Sequence, residues 1–201
     1  MLSGFAVALG VVTDSMAQVR PPQILEIYRD YLKPDAIAAN RKLERRAEEL
    51  CRKLGFTHPY LTIESASGPA EMWYLNAFDS EAEVEKLRRE YQQNAKLLAA
   101  LGDITRQKVP LKRLESTDDF LNYRPELSRG DPWIMGRGQF FVIVFFDGDP
   151  PLNGTVFEMK DGSKMLVRTT QNSSEARILA ASAGSTARVF RSYFYFRPQG
   201  M

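Results

Sequence analysis

One sequence feature constrains the fold more than any other: the order in which strand-like and helix-like patterns alternate over residues 22–115. Residues 24–32 favour a strand, and apolar side chains spaced three and four residues apart over 36–54 predict an amphipathic helix. Two strand-like stretches, 59–64 and 71–78, then flank a Gly-Pro turn and predict a hairpin.

A second helix and a last strand complete this order. Residues 80–83 (Ser-Glu-Ala-Glu) have the pattern of a capping box, in which a hydroxyl and a carboxylate bind backbone N–H groups of the first turn. The apolar stripe continues to Leu101, and Gly102 is expected to end the helix. Residues 107–115 are predicted as a fourth strand, at a sheet edge because of Pro110. The order β-α-β-β-α-β is that of a ferredoxin-like unit, an α+β fold.

The remainder of the chain, residues 137–198, has the pattern of a shortened second ferredoxin-like unit. It opens on the apolar run 139–146, a strand that we expect to be buried on both faces. A hairpin with the arms 155–159 and 164–170 turns at an Asp-Gly pair, and a short helix and a last strand follow. This order, β-β-β-α-β, lacks the first helix. The polar segment 116–136 is predicted to link the two units.

The first residues of the chain have the pattern of a secretory signal. The stretch from Leu2 to Val12 is apolar, short and uncharged, and Ser15 and Ala17 are small residues at the positions that a signal peptidase recognises. We therefore expect residues 1–17 to be removed and the product to be periplasmic or secreted. A cytoplasmic location is the alternative, because no basic residue precedes the apolar run. The run is shorter than the roughly 20 apolar residues that a membrane span needs.

Charge and the rarity of cysteine and histidine exclude several classes of site. Lys and Arg number 27 against 25 Asp and Glu, and a net charge of +2 does not indicate a nucleic-acid surface. The single cysteine, Cys51, permits no disulfide within the chain, and the single histidine, His58, permits no pair of histidine ligands. No complete catalytic, metal or nucleotide motif is found. Neither a metal nor a cofactor is predicted, and nucleic acid and membrane are not expected partners.

Three stretches carry a resemblance to a known superfamily: residues 28–34 (Tyr-Arg-Asp-Tyr-Leu-Lys-Pro), residues 73–78 on the third strand, and residues 80–83. With them, the chain from Tyr28 to Leu101 resembles the dimeric α+β barrel superfamily, and within it NIPSNAP-like and antibiotic-biosynthesis-monooxygenase-like proteins. The resemblance implies sheets that pack face to face, between two chains or two repeats, with a pocket between sheet and helices. It implies no one activity, because the superfamily includes cofactor-free oxygenases, haem-degrading enzymes and proteins without known activity.

Aromatic and polar side chains near the first three strands are the candidates for this pocket. Neither face of the strand 71–78 is purely apolar, so we expect both faces to be covered, one by helices and one by a second sheet. The alternative to a pocket is core packing, with the tyrosine hydroxyls bonded to their neighbours. The predicted ligand-binding residues are Tyr28, Arg29, His58, Tyr60, Trp73, Tyr74 and Asn76.

Three of the candidate side chains each have a second interpretation. His58 is the candidate for acid–base catalysis, because histidine titrates near neutrality; the alternative is a loop histidine bonded to the end of the preceding helix. Arg29 either binds a carboxylate of a ligand or pairs with Glu71 or Glu64 across the sheet. Cys51 lies on the apolar stripe of the first helix, and an inert core thiol is predicted.

The predicted function is the binding of a small aromatic or apolar ligand between sheet and helices. Two alternatives stay open: a cofactor-independent monooxygenase-like enzyme and a structural oligomer without a ligand. Whether the chain is an enzyme is therefore open. A homodimer is a further prediction, because strands with two partly apolar faces need a second sheet from another chain or from the second half of this one.

Overall fold

Eight strands and four α-helices make up residues 20–198, the part of the chain that the computed structural model describes. The strands are β1 (Ile24–Tyr31), β2 (Tyr60–Ser65), β3 (Glu71–Phe78), β4 (Thr117–Tyr123), β5 (Phe140–Phe146), β6 (Thr155–Met159), β7 (Lys164–Thr170) and β8 (Ala187–Phe196). The helices are α1 (Ile37–Lys53), α2 (Glu81–Gln93), α3 (Ala95–Lys108) and α4 (Ser173–Ala183). The predicted signal segment, residues 1–17, lies outside the described residues.

The strands pair into one closed antiparallel barrel in the order β1-β3-β2-β8-β5-β7-β6-β4. The first half of the chain contributes the run β4-β1-β3-β2, and the second half contributes β8-β5-β7-β6. Two pairings join these halves, β2 with β8 and β4 with β6. The barrel therefore closes within a single chain. The homodimer stays a prediction, although the second sheet for which it was invoked is supplied by the same chain.

Alternation of side chains along the strands fills the inside of the barrel. Leu25 and Ile27 of β1 point inward with Trp73 and Leu75 of β3, and all four are at most 1% exposed. Trp133, from the segment between β4 and β5, joins the same cluster and is 2% exposed. The interior is thus a packed core rather than a channel, as expected for a small barrel.

The outer faces of the two halves are covered differently. Over the first half, α1, α2 and α3 pack through Cys51, Leu87 and Leu97 against a cluster that includes Tyr60 and Phe78. Over the second half, α4 alone packs on β5, β7 and β8. Within residues 20–198, no helix combines the length and the apolar character that a membrane span requires.

Several predicted elements are confirmed. The hairpin arms of the second half lie at residues 155–159 and 164–170, as predicted. The capping box opens α2, where the Ser80 hydroxyl accepts a hydrogen bond from the backbone N–H of Glu83, and the Glu83 carboxylate accepts one from the backbone N–H of Asp79. The broad class, α+β with a closed antiparallel barrel, is also as predicted.

Two predictions about the end of the first half are wrong. The second helix does not stop at Gly102; it breaks at Asn94, whose side chain caps α3, and α3 continues to Lys108. Residues 107–115 form the end of α3 and a 3-10 turn at Val109–Leu111, which Pro110 fits because the first turn of a helix needs no N–H at that position. The fourth strand is β4, inside the segment predicted as a linker.

Candidate functional site

A cavity of about 210 Å³ lies between the outer face of β1–β3 and the helices α1 and α3. We call it the inner cavity. The strands contribute Tyr28, Tyr60, Tyr74 and Asn76, four of the seven predicted ligand-binding residues. Their positions share one face because side chains alternate and because the strands pair in register, with Tyr28 opposite Tyr74 and Tyr60 opposite Asn76. The helices contribute Glu44, Cys51 and Lys108.

A second cavity of about 210 Å³ adjoins the inner cavity, and we call it the Glu26 cavity. Tyr28, Asn76 and Tyr91 line both cavities, which therefore lie side by side, and we call the two together the cleft. The cleft as a whole falls in the range of roughly 300–1,000 Å³ that is typical of small-molecule sites. The Glu26 cavity also contains the side chains of Arg88 and Asp118.

Glu26 is the side chain of the cleft that is best suited to acid–base chemistry. It lies directly opposite Asn76 in the pairing of β1 with β3, and the Asn76 amide donates a 2.7 Å hydrogen bond to its carboxylate. Burial raises the pKa of Glu26 from its usual 4.5 to about 7, and repulsion by Asp118 acts in the same direction. Asn76 and Arg88 oppose this rise in the pKa without cancelling it. A carboxyl group that is half ionised near neutral pH can accept and return a proton.

The raised pKa of Glu26 makes stability depend on pH, with a sign that can be tested. The folded protein retains the proton up to about pH 7, whereas the unfolded chain releases it near 4.5. The stabilisation from this group is therefore complete below pH 4.5 and is lost as the pH rises to about 7. We expect the stability difference between wild type and Glu26→Gln, measured by urea unfolding, to change across this window. A difference that is constant from pH 4 to 8 would contradict the assignment.

Glu44 and Lys108 line the inner cavity, and we call these two residues, together with Asp30 and Lys112 of the same ion-pair network, its floor. Lys108 pairs with Glu44 and, at 3.3 Å, with Asp30, and Lys112 pairs with Asp30 at 2.7 Å. Burial alone would raise the pKa of Asp30, but Lys108, Lys112 and the Ser116 hydroxyl lower it overall. Burial would lower the pKa of Lys108, but Glu44 and Asp30 raise it. Two carboxylates and two ammonium groups therefore balance, and the floor carries no net charge.

The tyrosine hydroxyls and the cysteine thiol of the cleft are neutral at physiological pH. Burial raises the pKa of Tyr60, Tyr74 and Tyr91 above the usual 10 of a tyrosine. Burial likewise raises the pKa of Cys51 to about 11, so its thiol is protonated and unreactive, in line with the inert thiol predicted from the sequence. These side chains offer hydroxyl groups and ring faces to a ligand, but no nucleophile.

His58 lies outside the cleft. Its ring stacks on Phe78 with centroids 4.6 Å apart, and it lines a separate surface depression beside α2. Burial lowers the pKa of His58 to about 4, so the ring is neutral near pH 7. The Nε2 atom is buried and has no hydrogen-bond partner among the described residues. The structure therefore places the histidine apart from the four predicted residues that line the inner cavity.

Arg29 and Trp73 also lie apart from the cleft, because their positions on β1 and β3 point into the barrel. The Arg29 guanidinium stacks over the Trp73 ring at 4.8 Å and pairs with Asp119 at 3.3 Å. The predicted partners of Arg29 are wrong: Glu71 pairs with Arg113 and Arg188, and Glu64 pairs with Arg41 and Arg191. The pairing register of the strands could not have predicted these ion pairs, because all four arginines come from distant segments of the chain.

Among the residues of the cleft that sequence reasoning missed are Glu26, Glu44, Tyr91 and Lys108. Glu26 carried a usable signal, because it is an acidic residue between the apolar residues Leu25 and Ile27 of a strand. Glu44 and Lys108 carried none, since each is an ordinary charged residue on a helix until the ion pair between them is known. Among residues 20–198, no group of three or more side chains is placed to hold a metal ion.

Comparisons with known proteins give a likeness of fold. No family model matches the chain, and no curated protein matches it. A solved structure from Fusobacterium nucleatum subsp. nucleatum, named a "putative monooxygenase", superposes with a TM-score of 0.58 at 7% identity over 90% of this chain and 97% of the other. A second, of the same name, from Lactobacillus acidophilus superposes with a TM-score of 0.51 at 7% identity over 88% and 96%. At this identity the likeness concerns the barrel fold alone.

Proposed function

We propose that the cleft binds a small, neutral aromatic compound that carries a hydroxyl group, and that Glu26 exchanges a proton with this hydroxyl. The observation that carries the proposal is the carboxyl of Glu26, with a pKa of about 7, in a cavity lined by tyrosine rings. A base whose pKa lies near the working pH combines a large ionised fraction with a useful driving force for proton transfer.

The electrostatics of the cleft support a neutral ligand. The ion pairs of the floor balance, and the tyrosine and cysteine side chains are uncharged. A charged ligand would lose its hydration on entering the inner cavity, where the described charged side chains that line it, Glu44 and Lys108, already pair with each other, and this loss is costly. The side chains of Tyr28 and Tyr74, with ring centroids 5.8 Å apart, both line the inner cavity and can contact an aromatic ligand there.

Cofactor-independent oxygenation is the second candidate, and the position of Glu26 favours it. Removal of a phenolic proton by the Glu26 carboxylate would give an electron-rich phenolate, which is the form that donates electrons to O₂. The names of the two structural neighbours fit this chemistry, as does the resemblance of the chain from Tyr28 to Leu101 to antibiotic-biosynthesis-monooxygenase-like proteins. This candidate differs from simple binding in one respect, since it requires Glu26 as a base.

We also propose that the barrel consists of two ferredoxin-like units in one chain. Its support is the strand order, since β4-β1-β3-β2 in the first half and β8-β5-β7-β6 in the second correspond position by position. The second unit lacks a counterpart of α1. Export to the periplasm or medium, with loss of residues 1–17, stays part of the proposal, and intact-mass analysis of the protein from its host would test it.

The test of function uses 1-naphthol, a neutral hydroxylated aromatic compound. We expect it to raise the melting temperature of the wild type, since saturation at 100 times Kd stabilises the folded state by about 2.7 kcal/mol. Glu26→Gln should still bind 1-naphthol, because the amide fits the same space. If the protein is an oxygenase, O₂ uptake with naphthols should fall about 100-fold or more in this variant.

Asp118→Asn is the matched control. It leaves Glu26 in place but removes the neighbouring charge that raises the pKa of Glu26. The pH dependence of proton transfer should therefore move to lower pH, while binding of 1-naphthol persists. If the wild type shows no melting-temperature shift with any phenol or naphthol, the proposed ligand class is wrong. If Glu26→Gln retains full O₂ uptake, Glu26 is not the base.

A further inference from the structure

A third and larger cavity, of about 510 Å³, opens on the surface beside the cleft. We call it the outer cavity. It lies between the loop that follows α1, at Gly55–Thr57, and the break between α2 and α3, at Gln93–Leu97. Phe56 and Leu97 form its apolar part and are 7% and 2% exposed. Polar and charged side chains, including Glu90 and Lys96, also line it.

Tyr91, in the last turn of α2, lines all three cavities. Phe56 lines both the inner and the outer cavity, and the rings of Phe56 and Tyr91 are in contact with centroids 5.1 Å apart. The side chains of Phe56, Leu87 and Tyr91 therefore lie between the outer cavity and the cleft. The Tyr91 hydroxyl makes no hydrogen bond to any residue that the structure describes.

We propose that the outer cavity is a second subsite of the same ligand site, and that the ligand is an elongated phenol whose apolar extension passes Tyr91 into it. The inference rests on the proposed function, in which the hydroxylated ring lies beside Glu26. The Glu26 cavity and the outer cavity adjoin, because the side chains of Leu87 and Tyr91 line both. The polar group and the apolar extension of such a ligand would then lie in different cavities, on opposite sides of Tyr91.

The subsite can be tested with a series of 4-alkylphenols, from 4-methylphenol to 4-butylphenol, by isothermal titration calorimetry. Each methylene that is buried in the outer cavity should tighten binding about fourfold. The variant Ala95→Trp places an indole in the outer cavity, at an exposed position of the first turn of α3. We expect it to weaken binding of 4-butylphenol at least about tenfold and to change binding of 4-methylphenol little.

The second variant is Gln93→Trp, at another exposed position that lines the outer cavity. It should weaken binding of 4-butylphenol in the same way as Ala95→Trp. With two variants, a folding defect in one of them does not decide the outcome. Tyr91→Ala removes the partition and should strengthen binding of the longer phenol relative to the shorter one.

The inference is overturned if affinity gains from chain length are the same in the wild type and in both tryptophan variants. It is equally overturned, together with the proposed function, if the wild type binds no phenol of any length. Binding of short phenols without a gain from chain length would overturn the subsite alone.

Discussion

Trp73→Ala is expected to lower the free energy of unfolding by about 3–5 kcal/mol, the range for removal of a large aromatic side chain from a packed core. Trp73 is 1% exposed, and its ring contacts Phe190 with centroids 4.4 Å apart. Its indole N–H donates a 2.9 Å hydrogen bond to Glu71, and its ring face receives the guanidinium of Arg29. The substitution thus opens a cavity and also deprives two buried charged groups of a partner.

Urea unfolding of Trp73→Ala and Trp73→Phe separates these contributions. Phenylalanine keeps an aromatic ring under Arg29 but lacks the N–H that binds Glu71, whose carboxylate retains Arg113 and Arg188. We therefore expect a smaller loss for Trp73→Phe, about 1–3 kcal/mol. A loss below about 1 kcal/mol for Trp73→Ala would mean that the barrel interior relaxes around the missing ring, and that it is not the close-packed core described here.

Lys108→Ala is expected to cost about 3–5 kcal/mol, because it leaves a buried carboxylate without its partner. Glu44 is 2% exposed, and Lys108 is the cation that pairs with it among residues 20–198. Asp30 is less affected, since Lys112 and the Ser116 hydroxyl continue to bind it. The same reasoning predicts that Lys108→Met combined with Glu44→Gln recovers much of the loss, since neither buried charge then remains unpaired.

Chemical denaturation of Lys108→Met, of Glu44→Gln and of the double variant that combines them gives the coupling energy between Lys108 and Glu44. The matched control is Lys86→Ala, which removes an exposed ion pair with Glu90 and should cost less than about 1 kcal/mol. If Lys108→Ala proves as mild as Lys86→Ala, water must reach Glu44 from the inner cavity. In that case the cavity floor would be hydrated rather than dry.

Local patterns predicted the parts of this fold that depend on neighbours in sequence. The hairpin of β6 and β7 and the capping box of α2 follow from a few adjacent residues. Strand β4 could not be predicted in this way. Leu121 is its single fully buried residue, and the alternation of apolar and polar side chains along it is weak. Its place in the barrel is fixed instead by pairing with β1 and β6, which are distant in the chain.

The candidate site likewise contains residues that local patterns predict and residues that only long-range contacts bring together. Tyr28, Tyr60, Tyr74 and Asn76 could be grouped from the sequence, because alternation and the hairpin register place them on one face. The separation of Arg29 and Trp73 from that group follows from the same alternation, although the predicted set combined both faces. Lys108 lies 78 residues from Asp30, and no local pattern connects two such residues before the fold is known.

Because the barrel closes within one chain, its two halves need not be identical, and the site has been built on one of them. The side chains that line the inner and Glu26 cavities lie between residues 26 and 118, and β5–β8 contribute to the other half of the barrel. In a symmetric pair of chains, every substitution in a site is made twice and must be tolerated at both places. Here a substitution in the cleft is made once. The residues of the cleft can therefore change in one half, while the other half keeps the residues that stabilise the barrel. If the proposed ligand binds in the cleft, one ligand per chain is the stoichiometry that we expect.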